Sequence, residues 1–166
     1  MINGIQVLRE VYSNHEEESF QPSGLDLKLG KVYKISNEGV CGIVDGEKII
    51  PNHIPLEKTE MYDTMVWVIK PNTPYIFEVD RQVKIGDENA QFYLPRSTLL
   101  REGVNVYTAL GDTGYNGRLS FLVINHRLDD FVITEGERFA QLVDFQVTGV
   151  DSTDGYDGDH QEEVEE

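Results

Sequence analysis

Residues 95–117 read PRSTLLREGVNVYTALGDTGYNG. This run combines an arginine, two hydroxyls, an apolar hairpin, a lone carboxylate, a tyrosine and an Asn-Gly turn. Outside a nucleotide site that mixture has little reason to occur. Arg96 offers a planar five-donor fork suited to phosphate oxygens, and Ser97 and Thr98 can hydrogen-bond further oxygens. Residues 99–102 suit one helical turn, whose first N–H groups favour an anion. Asp112 lies between Gly111 and Thr113-Gly114, where small neighbours leave room for a water or a ligand. Tyr115 adds a flat face with a polar tip.

Outward from this stretch the chain reads as short strands. Residues 25–29 alternate apolar with charged, which places Asp26 and Lys28 opposite Leu25, Leu27 and Leu29. Residues 31–36, 40–44 and 47–50 are strand-like pieces separated by Asn-Glu-Gly and Asp-Gly signals, and Asp45-Gly46 is a strong hairpin cue. Further strands are expected at 65–69, 75–79, 92–94, 118–125, 131–134 and 139–147. Residues 1–9 alternate weakly, as an edge strand would, and 13–19 form a charged, exposed link. His15 reads as a solvated loop residue, Trp67 as a core or subunit-contact residue, and Cys41 as a small buried strand residue. Turns every 8–12 residues with almost no helical period predict an all-β barrel or sandwich of jelly-roll type.

The net charge is −16, and residues 151–166 hold eight acids with no Lys or Arg. The other 150 residues therefore carry about −8. Such a surface is unsuited to nucleic acid or an anionic membrane, and any site for an anionic ligand has to concentrate its few arginines. One cysteine excludes an internal disulfide and a cysteine-based zinc site. With no signal segment and no apolar run near the roughly 18 residues of a membrane span, a cytoplasmic protein is expected. A single domain over 1–148 followed by a flexible acidic arm over 149–166 fits the composition.

Five segments in order resemble the trimeric dUTPase/dCTP deaminase superfamily, and most closely its archaeal-type dUTPase branch. They are 21–30 (QPSGLDLKLG), 95–101 (PRSTLLR), 103–117 (GVNVYTALGDTGYNG), 136–145 (GERFAQLVDF) and, weakly, 156–161 (YDGDHQ). The resemblance implies a distorted jelly-roll of the β-clip barrel type, a homotrimer with shared active sites, and Mg2+-dependent hydrolysis of dUTP to dUMP and pyrophosphate. By that likeness Asp112 binds the sugar 3′-hydroxyl and orients the attacking water as base. Arg96 and Ser97 neutralise the phosphates, with Thr98 as a further contact, Arg101 and Arg138 as additional phosphate contacts or interface pairs, and Gln141 either near the nucleotide or an amide satisfying strand ends. Asp26 holds a water on the magnesium. Tyr115 packs under the deoxyribose, where a ribose 2′-hydroxyl would be buried unpaired at a cost of roughly 1–3 kcal/mol. The hairpin that includes Val106 and Thr108 meets the pyrimidine through main-chain groups, and Tyr156 stacks on the base as a lid.

Two departures matter. Deaminase relatives carry a proton-shuttling glutamate in the strand after the tyrosine turn, and the matching position here is Leu122, which cannot transfer protons. The tail also lacks the arginine with which mainstream dUTPases close over the γ-phosphate. The expected activity is thus a phosphohydrolase. The alternatives are a dCTP deaminase-like or modified deoxypyrimidine triphosphate pyrophosphatase, and a non-catalytic, nucleotide-sensing regulatory binding protein.

Overall fold

The computed structural model describes residues 1–149 and 155–158. The long strand Gly24–Ile35 organises it. Its first half pairs antiparallel with Arg138–Gln146, with Gln141 opposite Asp26, and its second half pairs with Pro74–Val79. Residues 25–29 and 31–36, expected as separate pieces, belong to this one strand. The junction is Gly30, where the register shifts. A Cβ at Gly30 would stand 2.7 Å from the Asp80 Cα, so two backbones touch here and only glycine permits it.

The sheet continues outward in both directions. Asn89–Pro95 pairs with Arg138–Gln146 on one side. On the other, Ser120–Asn125 pairs with Pro74–Val79 and Val104–Tyr107 pairs with Ser120–Asn125. The two ends of this path are then drawn together. Gln91 and Gly111 exchange both backbone hydrogen bonds at 2.9 Å, and the Thr108 hydroxyl donates to the Tyr93 carbonyl at 2.8 Å. The result is a nearly closed antiparallel barrel, as the strand pattern predicts. A smaller sheet of Thr59–Met61, Thr64–Ile69 and Phe131–Thr134 adds Trp67, Ile69 and Ile133 to the same core as Phe77, Phe139 and Leu142. Trp67 is a core residue whose indole N–H donates to the Leu56 carbonyl at 2.8 Å.

Two local expectations are corrected. Residues 1–9 do not form an edge strand, because Ile5–Val11 is a helix and Ile2 contributes one bridge to Phe145. Ile5, Leu8 and Tyr12 recur at three- and four-residue spacing, and Leu8 and Tyr12 are buried, so the helical period wins over a weak alternation. Cys41 is exposed rather than buried. The hairpin Gly42–Val44 and Glu47–Ile49 that follows it stands off the core with all its strand residues exposed. The hairpin cue itself holds, since Asp45 and Gly46 have φ of 50° and 87°, the left-handed pair of a type I′ turn. No helix among the described residues is long and apolar enough to cross a membrane. Apart from Gly149 and residues 155–158, the acidic arm expected over 149–166 lies outside the described residues.

Candidate functional site

The barrel places two groups of polar residues in separate cavities. The first is built where three strands run side by side. Asp26 and Gln141 are register partners, and Pro95 pairs with Ala140 one position away. Arg96 therefore leaves its strand beside Asp26, held by its N–H to the Phe139 carbonyl at 3.1 Å. The Asp26 carboxylate is 2% exposed and is shared. It accepts from Arg138 at 3.3 Å and from Gln141 at 3.2 Å, and it pairs with Arg96 at 3.7 Å. Arg138 also donates to the Glu18 carbonyl at 3.3 Å.

Two guanidinium groups on one carboxylate leave a net positive charge. The Arg96 and Arg138 side chains are still 30% and 36% exposed, so unused N–H donors face solvent. Such a cluster suits an anion, although Glu137 lines the same groove. The turn expected at 99–102 is the helix Ser97–Arg101. Leu99 is buried and anchors it, while Ser97, Thr98 and Arg101 are exposed beside the arginines. Arg96, Thr98 and Arg138 line a groove of about 370 Å³ whose other wall includes Tyr62 and Phe131.

The second group surrounds Asp112, in a cleft of about 640 Å³ lined by Asp112, Tyr115, Arg118, Ser120, Glu78 and Tyr156 among others. Asp112 follows the clamped Gly111 directly and is exposed to the cleft. The Tyr115 N–H closes a turn on the Asp112 carbonyl at 3.3 Å, and the Tyr115 hydroxyl donates to the Arg118 carbonyl at 3.1 Å. Gly114, at φ 77°, adopts the left-handed conformation that this turn needs. Tyr156 returns to the same place: its N–H donates to the Thr113 carbonyl at 2.7 Å, and its ring meets Tyr115 edge-on with centroids 5.5 Å apart. Under the loop, burial pushes the Tyr93 phenol far above its ordinary pKa, and the nearby Tyr115, Asp144 and Asp112 act in the same direction.

The remaining expected residues are positioned by the hairpin. Val106 is buried with its side chain in the core. Its strand, Val104–Tyr107, ends the sheet path, so its outer main-chain edge has no strand partner there. Thr108 uses its hydroxyl on Tyr93. Leu122 pairs with Tyr107 and Ile76, neither of them an acid. The acid two positions along the neighbouring strand, Glu78, is engaged by the Tyr33 hydroxyl at 3.4 Å and by Lys31 at 3.6 Å. Residues that the sequence did not single out are Glu18, whose carbonyl holds Arg138, and Gln91 and Tyr93, which hold the Asp112 loop. Alternation in 91–94 shows that Gln91 and Tyr93 face one way, but nothing in it says that they meet Gly111.

Among the described residues, no three His, Cys, Asp or Glu side chains converge as a metal cage. A hard cation that brings its own oxygen ligands and waters needs no such cage, and Asp26, whose two oxygens are engaged by Arg96, Arg138 and Gln141, would meet one only through a water.

Comparison with known proteins agrees with this architecture. The profile of the dCTP deaminase-like family matches residues 4–147. A probable deoxyuridine 5′-triphosphate nucleotidohydrolase of Methanothermobacter thermautotrophicus is 40% identical over 162 residues, covering 98% of this chain and 100% of its own. The protein of the same description from Methanopyrus kandleri is 36% identical over 161 residues, covering 96% and 99%. Among solved structures, the 2′-deoxycytidine 5′-triphosphate deaminase of Agrobacterium tumefaciens superposes with a TM-score of 0.65 at 16% identity. That match covers 86% of this chain and 47% of the deaminase, so the chain spans about half of that protein. The dUTPase of Staphylococcus bacteriophage 80alpha, solved with dUPNHPP, matches with a TM-score of 0.50 at 15% identity over 100% of this chain and 88% of its own. On the extent of the profile match and of the two archaeal relatives, this chain belongs to the dCTP deaminase-like family.

Proposed function

We propose that the protein is a cytoplasmic dUTP diphosphatase, converting dUTP and water to dUMP and pyrophosphate in sites shared between the subunits of a homotrimer. The names of its archaeal relatives support the substrate. The observation that carries hydrolysis over deamination is Leu122. A side chain with no acid–base group occupies the strand position where deaminases carry a glutamate, and neither cross-strand neighbour, Tyr107 or Ile76, is a carboxylic acid.

Arg96 and Arg138 bind the phosphate oxygens, assisted by Ser97, Thr98 and Arg101, and Gln141 stays beside them through Asp26. Magnesium carried in by the triphosphate would neutralise phosphate charge there, reached from Asp26 through a water. Tyr115 packs under the deoxyribose and excludes a 2′-hydroxyl, while the open edge of Val104–Tyr107, with Val106 and Thr108, offers main-chain groups to the pyrimidine. Tyr156 covers the cleft from outside. Asp112 takes a proton from the water that attacks the α-phosphorus. As that P–O bond forms, the bond from the α-phosphorus to the bridging oxygen breaks, and pyrophosphate leaves. That the arginine cluster and the Asp112 cleft are separate cavities of one chain supports assembly of each site from two subunits.

Asp112→Asn tests the assignment. Pyrophosphate release from dUTP should fall by about 10²–10⁴-fold, the usual worth of a positioned base, with nucleotide affinity changed by less than about twofold. A variant that turns over at the wild-type rate removes Asp112 as the base.

A further inference from the structure

The interior of the barrel holds a polar chain that ends under the Asp112 loop. Asp144 is 2% exposed and accepts hydrogen bonds from Asn3 and Asn89 on one oxygen, and from Tyr12 at 3.0 Å and Gln91 at 3.3 Å on the other. Gln91, 0% exposed, also donates to the Tyr12 hydroxyl and accepts from the Tyr93 hydroxyl at 2.7 Å. The Tyr93 oxygen in turn lies 2.3 Å from where a Cβ of Gly111 would stand. Both backbone groups of Gly111 are bound to Gln91, and Thr108 is bound to the Tyr93 carbonyl. The loop is therefore fastened to strand Asn89–Pro95 at Thr108 and at Gly111, the residue directly before Asp112. The two residues that fasten it are those whose side chains the buried network fixes.

We propose that Gln91 and Tyr93, held by Tyr12 and Asp144, are positioning residues that aim the Asp112 carboxylate. A core of this kind could have been apolar, because polar groups so deeply buried add little net stability even when fully paired. What pairing does give is one geometry: every polar side chain in the network has a defined partner, and the backbone of Gly111 inherits that order. Catalytic groups must be held within a fraction of an ångström, and a displacement of about 1 Å costs up to about a hundredfold in rate. Tyr12, the residue that ends the N-terminal helix, thereby bears on a loop about a hundred residues away in sequence.

This inference rests on Asp112 being the base, and the test separates the two. Tyr93→Phe keeps the ring and removes the hydroxyl. Well below its melting temperature it should lose about tenfold in kcat for dUTP with KM within about twofold, and in an Asp112→Asn background it should cause no further loss. Tyr12→Phe, one link further out, should shift kcat in the same direction by less, and it serves alone if Tyr93→Phe does not fold. A folded Tyr93→Phe, or Tyr12→Phe in its place, with lowered melting temperature and wild-type kcat would overturn the proposal and leave the network purely structural. An equal loss of kcat with and without Asp112, in either variant, would overturn it as well. Wild-type turnover by Asp112→Asn alone would instead overturn the assignment of the base.

Discussion

Asp26→Asn is the most telling single change in the arginine cluster. The substitution keeps size and shape but removes the charge that two guanidinium groups share, and it turns one acceptor oxygen into a donor facing donors. Removing one partner from a fully buried ion pair costs about 3–5 kcal/mol. Here Arg96 and Arg138 are about one third exposed and can turn to water, which brings the expected loss to about 2 kcal/mol. For a chain of this length that is a fall in melting temperature of about 4–8 °C. The liberated arginines should also bind anions better when no metal is present. In EDTA, pyrophosphate should raise the melting temperature of the variant more than that of the wild type, by linkage; with Mg2+ the proposed mechanism expects the order to reverse, because there the Asp26 carboxylate would meet the ion through a water. Scanning calorimetry under both conditions reads all of this. An unchanged melting temperature with an identical response to pyrophosphate would refute the view that Asp26 holds the arginines in place.

Gly111→Ala would set a methyl group 2.3 Å from the Tyr93 oxygen and 2.8 Å from Ile85 Cδ1; overpacking of this kind costs about 1–3 kcal/mol, visible as a lower urea midpoint. His15 is half-buried rather than the solvated loop residue expected from sequence, and this burial holds its imidazole below the ordinary pKa of 6.5, with the Asp80 charge opposing and Arg81 assisting. The unfolded chain therefore binds this proton more readily, so stability should fall as pH drops below about 6.5, and His15→Gln should flatten that part of a melting-temperature profile. With dCTP as substrate no ammonia should be released, and ammonia in an enzymatic assay would overturn the inference from Leu122.

The sequence showed most of the strands because burial here follows alternation, with Leu25, Leu27 and Leu29 inside and the hairpin at Asp45-Gly46 set by local backbone preference. It marked Arg96, Asp112 and Tyr115 because their short-range company is chemically unusual. What it could not show depends on distant partners. Asp26 looks like a surface residue of an amphipathic strand until Arg96 and Arg138 cover that face, 70 and 112 positions away. The polar chain from Asp144 to Gly111 joins four segments, and each member alone reads as an ordinary strand or helix residue. The N-terminal helix is hard to see in the sequence because seven residues offer barely two turns of periodicity, and Ile5 and Val7 favour strands locally. The hairpin after Cys41 has strand composition without core burial, so its apolar side chains mimic those of a buried strand.

On this mechanism the arginine cluster of one subunit works with Asp112 of another. Mixing Asp112→Asn protein with Arg96→Ala protein, after unfolding and refolding together in equal amounts, tests it directly through pyrophosphate release from dUTP. In a cyclic trimer with sites between neighbours, every mixed trimer regains one intact site, so two inactive proteins should recover about a quarter of wild-type activity. If the mixture stays as inactive as its components although mixed trimers form, each site lies within one chain and the shared-site mechanism is wrong.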